Sequence, residues 1–323
     1  MPYVAVQSVA SNHLLDIAMQ RWDRIRERRP DLASAVDLQQ RLLTLVIELA
    51  HTIDGGRLPR LSLPPKYIAT KLTRGVPVFA GEPIPLPVQA LHAVMLRLCE
   101  TLAEGGAGES AEHIRSAIES GSLDAGSLLA TSFAREQTAI RTAAVHRGLA
   151  PDLVWLVAEL AVSPFAHALQ RTFFASSAPS EQGERPRLAS SEDTRTAASA
   201  LASWNRGYCP ACGSWPALAE VVGGHRVLRC SFCALAWELA TYACIYCGED
   251  AEPFVTAAPD EERKDRRVEI CKGCAGYLKT VDVLELSPFP LLAIADLETM
   301  DLDLAAMERG YGRPTLKEFG AGR

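Results

Sequence analysis

Residues 207–216 read GYCPACGSWP, and the fold of the second half of the chain turns on what the two cysteines in that stretch do. Cys209 and Cys212 stand two residues apart, with Pro210 between them and Gly213 just after. A dithiol at that spacing can exchange electrons as a disulfide, hold a metal, or sit in a turn. The later sequence narrows the choice. The same spacing recurs at Cys230/Cys233, Cys244/Cys247 and Cys271/Cys274, with gaps of 17, 10 and 23 residues between successive pairs. Eight of the nine cysteines fall into these four pairs, which ordinary core cysteines would not do. A thioredoxin-like redox site carries one such pair at the start of a helix in a βαβ setting, and four tandem pairs do not match it. Two CxxC turns aim four thiolates at one ion, forming a closed tetrahedral site that suits zinc or rubredoxin-type iron.

The gaps favour sequential pairing, first with second and third with fourth. GSWPALAEVVGGHRVLR (213–229) holds two apolar strands around Gly223-Gly224, a hairpin that returns the chain to its start. The 23-residue gap does the same through a longer charged loop, PDEERKDRR. The 10-residue gap ALAWELATYA alternates like a strand and reaches roughly 30 Å if fully extended, so it reads as a connector between two sites. An interleaved pairing is the alternative.

Before the cysteines the chain reads as helices. HLLDIAMQRWDRIRERR (13–29) places Leu14, Ile17, Ala18 and Trp22 at helical spacing, with arginines massed in the last turn. A second helix starts at Pro30 and stops at Gly55-Gly56. RLPRLSLPP (57–65) is broken by proline. Further helices are expected at 86–104, 110–119, 123–147 and 151–174, the last kinked or split at Pro164. Cys99, inside the apolar run ALHAVMLRLCETLAE, reads as a buried small hydrophobe. The polar segment 176–193 reads as a linker. A short helix is expected in EDTRTAASALASW, and beyond Cys274 a strand in YLKTVDVLEL and one amphipathic helix ended by Gly310. The expected organisation is an all-α helical bundle (1–175), the linker (176–193), two CxxC/CxxC β modules (194–243 and 244–290), and a C-terminal helix and tail (291–323).

Composition bounds the function. The chain has 323 residues, 48% hydrophobic and 22% charged, with a net charge of −6. Residues 201–280 carry 9 Lys+Arg against 10 Asp+Glu, with no basic stripe for nucleic acid. No apolar run is long enough to span a bilayer and no secretory signal opens the chain, so a cytoplasmic protein with reduced cysteines is expected. The histidines are scattered, and His225, at the hairpin turn, is not assigned as a ligand. Trp204, Tyr208, Trp215 and Trp237 crowd the first ribbon, as packing for a small metal-stapled core. No Walker loop, dinucleotide glycine fingerprint, nucleophile elbow or HExxH occurs.

Taken together, GYCPACGSWP, LRCSFCALAW, CIYCGED and EICKGCAGYLKTVD, followed by DLETMDLDLAAMERGYGRP, resemble the formate dehydrogenase accessory proteins, the FdhE family. The resemblance covers roughly residues 200–315. It implies two rubredoxin-like or zinc-ribbon modules, one metal held by Cys209, Cys212, Cys230 and Cys233 and another by Cys244, Cys247, Cys271 and Cys274, with iron favoured over zinc. It also implies a non-enzymatic cytoplasmic assembly chaperone whose partner is the immature, molybdenum-containing formate dehydrogenase catalytic subunit. A rubredoxin-like electron carrier is the second reading, and a nucleic-acid-binding zinc ribbon the third.

Overall fold

A computed structural model describes residues 4, 6, 11–56, 61–174, 191–251, 254–257 and 264–317. The expected linker lies outside them up to residue 190, as do residues 57–60 of the proline-broken stretch and 259–263 of the charged loop. The chain forms two compact units, Val9–Leu61 with Gly81–Leu169, and Met1–Ser8 with Ser62–Ala80 and Gln170–Arg323.

The helical unit contains α1 (Ser11–Arg28), α2 (Ala33–Gly55), α4 (Val88–Leu102), α5 (Gly108–Glu119), α6 (Ala125–Phe133), α7 (Gln137–His146) and most of α8 (Pro151–Phe174). The helix α3 (Pro65–Thr73) falls in the other unit and is not among the expected helices. Trp22 of α1 is fully buried and its indole N–H donates to Gln39 Oε1 on α2 at 2.9 Å. The helix expected over 123–147 is two. Asp124 caps α6, its carboxylate accepting from the Ser127 N–H at 2.7 Å. The break follows at Arg135, whose backbone is left-handed (φ 64°). Its side chain is drawn inward, donating to Glu159 at 2.7 Å and lying 4.7 Å from the Trp155 ring centre. That tertiary contact outweighs local helix propensity. Pro164 costs α8 one backbone donor, and the helix runs on through it. By length and composition α8 passes as a membrane span, yet 67% of its most apolar window is buried, as in a core helix. Cys99 is buried in α4, where loss of solvent pushes its thiol up to about 12.

The cysteine unit is built on one mixed sheet. Its strands are β1 (Pro216–Val222), β2 (His225–Cys230), β3 (Ala236–Trp237), β4 (Phe254–Ala257), β5 (Arg266–Cys271) and β6 (Gly276–Asp282), in the order β3-β2-β1-β6-β5-β4. Each ribbon is antiparallel within itself. The β1–β2 turn is the two-residue hairpin expected at Gly223-Gly224, both glycines at positive φ and Val222 opposite His225. The ribbons join through a parallel pairing of Ala219–Val221 with Thr280–Asp282, giving six continuous strands. Of the alternating connector ALAWELATYA, only Ala236–Trp237 is strand, paired with Leu228 and Arg229.

Helix α9 (Ser191–Ala202) precedes the sheet, and α10 (Leu292–Glu298) and α11 (Met300–Met307) follow it. The single C-terminal helix expected from sequence breaks at Thr299. Its hydroxyl donates to the carbonyls of Ala295 and Asp296, the second of which also accepts from Lys279 Nζ, so side chains take up the oxygens that a continuing helix needs. Leu292 and Ala295 of α10 pack on Ala217, Leu218 and Ala234. Leu302 and Ala306 of α11 pack on Val268 and Tyr277.

Candidate metal centres

The sulfurs gather sequentially. Cys209, Cys212, Cys230 and Cys233 form one set and Cys244, Cys247, Cys271 and Cys274 the other, the Sγ atoms of each lying within 4.8 Å of one another. In the first set, Cys209–Cys233, Cys212–Cys230 and Cys212–Cys233 are 3.7, 3.5 and 3.7 Å apart. In the second, Cys244–Cys274 and Cys247–Cys271 are 3.7 and 3.6 Å apart. Four sulfurs about 2.3 Å from a central ion stand about 3.8 Å from each other. Both sets therefore fit a tetrahedral, thiophilic cation.

Local turns explain how each pair is aimed. At the first pair of each set the chain closes a short turn, Gly213 N–H donating to Cys209 O and Gly248 N–H to Cys244 O, both at 2.9 Å. Those glycines sit at φ 84° and 81°, a left-handed conformation that glycine adopts without steric cost. At the second pair, Ala234 (φ 55°) and Ala275 (φ 54°) hold the equivalent position, so an alanine bears the left-handed strain twice. Amide donors then face sulfur: Phe232 and Cys233 N–H both point to Cys230 Sγ at 3.4 Å. Burial pushes the Cys209, Cys233 and Cys244 thiols up from their ordinary range. For Cys271 burial acts in the same direction, but amides of Cys274 and Gly273 and the Cys247 thiol prevail and hold it below. A bound cation would supply the charge that such sulfurs need to stay deprotonated.

The first set is enclosed. All four of its cysteines are buried, and the segment after α3 runs along the knuckle, Val78 and Phe79 N–H donating to Pro210 O and Ala211 O at 2.8 and 2.9 Å. Tyr208 Oη donates to Gly75 O at 2.7 Å from the same side. In the second set Cys244 and Cys271 are buried while Cys247 and Cys274 are exposed.

Aromatic rings link the two sets. Trp204, Tyr208, Trp215 and Tyr246 follow one another edge to face, with centroids 5.4, 5.8 and 5.0 Å apart. Tyr208 precedes Cys209 and Tyr246 precedes Cys247, so packing that the sequence assigned to one ribbon spans both. Gly207 abuts the second knuckle directly, where a Cβ would fall 1.9 Å from Ile245 O. Gly207→Ala is therefore expected to destabilise the sheet by at least about 1–3 kcal/mol. Urea unfolding followed by tryptophan fluorescence checks this, and a wild-type midpoint would show that the close approach is not obligatory.

The tail closes the arrangement. Gly312 pairs with Gly276, and Trp215 donates to Thr315 O at 3.0 Å. Arg313 bridges Asp296 and Asp303, and both carboxylates also bind the fully buried Lys279. No sequence periodicity marks these partners. His225 is exposed and faces Glu238, apart from either sulfur set.

No family model matches the chain. An FdhE homolog of Aquifex aeolicus is 32% identical over 116 residues, which is 33% of this chain and 40% of that protein. A Shewanella baltica homolog is 35% identical over 112 residues, 33% and 36% of the two chains. Escherichia coli FdhE is 31% identical over 118 residues, 35% and 38%. The matched segments thus span well under half of those relatives. The crystal structure of the FdhE protein from Pseudomonas aeruginosa matches 99% of both chains with a TM-score of 0.59, at 21% identity. The cysteine half is thus similar in sequence to FdhE proteins, and the whole chain is similar in fold to one of them. The FdhE-type fold extends over the helical part, which the cysteine motifs do not reach.

Proposed function

We propose that the chain is an accessory protein for the production of active formate dehydrogenase. It acts in the cytoplasm, docking the immature molybdenum-containing catalytic subunit, and each cysteine set holds one ion, iron in preference to zinc. What supports this reading is the FdhE-type fold over the whole chain, built around two all-sulfur sets. Four sulfurs fill a tetrahedral sphere, so neither set keeps the open position that catalytic zinc sites use. That favours a stapling role for the ions and a binding role for the protein.

Affinity capture from anaerobically grown native cells tests the proposal. A formate dehydrogenase catalytic subunit is expected among the captured proteins, together with loss of formate dehydrogenase activity on deletion of the gene. Unchanged activity in the deletion strain overturns it. The exposure of Cys247 and Cys274 favours a second reading, an iron-sulfur electron carrier of the rubredoxin class. A colourless protein that binds only zinc removes that reading and the preference for iron, and leaves the accessory role standing.

A further inference from the structure

The two sulfur sets share spacing, turn geometry and sulfur separations, yet their surroundings differ. Around the first, residues 209–214 are all buried, and of 230–237 only Ser231 is exposed. The backbone of Val78 and Phe79 is bonded across Pro210 and Ala211, and α10 lies on Ala234, just after Cys233. Around the second, Cys247 and Gly248 are exposed, and so is the whole run Lys272–Ala275. Helix α11 covers the sheet at Val268 and Tyr277, not the knuckles themselves. The gap in cover falls on one cysteine of each knuckle, Cys247 and Cys274.

We propose that the second set is the readily exchangeable and oxidant-responsive metal centre of this protein, entered at Cys247 and Cys274, while the first is closed in the native fold. The inference rests on both sets holding an ion. A thiolate is attacked, or its ion captured, only where a reagent can reach it, so rates follow access. A chelator or alkylating agent meets sulfur at the second centre directly, whereas at the first it must wait for local opening. With hydrogen peroxide as oxidant, two thiolates of the second centre give up two electrons and join as a disulfide. The O–O bond breaks, the oxygens leave as two waters with two protons from solvent, and the ion departs for want of ligands. The first ribbon keeps its own ion through this cycle.

The full chain loaded with zinc tests the proposal, its metal content being measured first. Addition of 4-(2-pyridylazo)resorcinol is expected to release one equivalent at least tenfold faster than the other. Brief iodoacetamide treatment and peptide mass spectrometry should place the early label on Cys247 and Cys274, with Cys209, Cys212, Cys230 and Cys233 protected. Peroxide should release the fast equivalent alone. Two equivalents released in one phase, or early label on the first set, overturns the inference while leaving two metal centres standing. Folded protein without bound metal at the outset overturns the metal reading and this inference with it.

Discussion

Cys230→Ala is expected to lose one equivalent of metal and to unfold the sheet unit, not merely to weaken it. Cys230 is fully buried, its sulfur accepts from two amides, and it ends β2. A structural ion in such a site contributes on the order of 10 kcal/mol of apparent folding free energy. Whole domains are stable by only about 5–15 kcal/mol, so little remains once the ion goes. Because β1 is bonded to both β2 and β6, damage at the first centre should spread into the second ribbon. Metal analysis and limited proteolysis check this: cleavage is expected across 204–290, with the α-helical unit still resistant. Full metal content and unchanged resistance in the variant would falsify the staple argument.

The second large effect is expected at an ion pair. Glu220 on β1 and Arg229 on β2 are both completely buried and bonded to each other. Arg229 also donates to Ser287 O at 2.6 Å, and Glu220 accepts from Ser287 N–H at 3.1 Å. Burial alone pulls the arginine's pKa down, against the opposing charge of Glu220. Arg229→Met removes one charge and strands the other, which costs about 3–5 kcal/mol. Replacing both, with Glu220→Leu added, is expected to recover most of that loss, since two matched apolar groups leave no orphaned charge. A double-mutant cycle by urea denaturation gives the coupling. Equal destabilisation in the single and double variants would show that shape, not charge, sets the cost.

How much of this was legible beforehand depends on sequence distance. The knuckles were readable because a CxxC turn is settled by four or five adjacent residues, and Gly223-Gly224 declared its hairpin for the same reason. Sequential pairing followed from that hairpin. The parallel joint between Ala219–Val221 and Thr280–Asp282 left no local mark, since a strand's pattern states which face is buried and not which strand lies beside it. The cover over Cys209, drawn from residues 75–79, was hidden likewise, and with it the unequal exposure of the two centres. Breaks at Arg135 and Thr299 went unseen because each is made by side-chain contacts that helix periodicity does not record. Ala234 and Ala275 carried no glycine to announce their left-handed turns.

The joint between the ribbons also sets an order of events at the ribosome. Strand β1 is synthesised with one partner at hand, β2, while its other neighbour is encoded far downstream. At about 5–20 residues per second, the wait from Ala219 to Thr280 lasts on the order of several seconds. Throughout it, β1 presents a row of free amides and carbonyls to any other nascent strand, a known route to aggregation. An ion captured early by Cys209, Cys212, Cys230 and Cys233 would hold the half-built sheet in register during that interval. Soluble yield on expression should then track metal supply during growth, and metal added after lysis should fail to restore it.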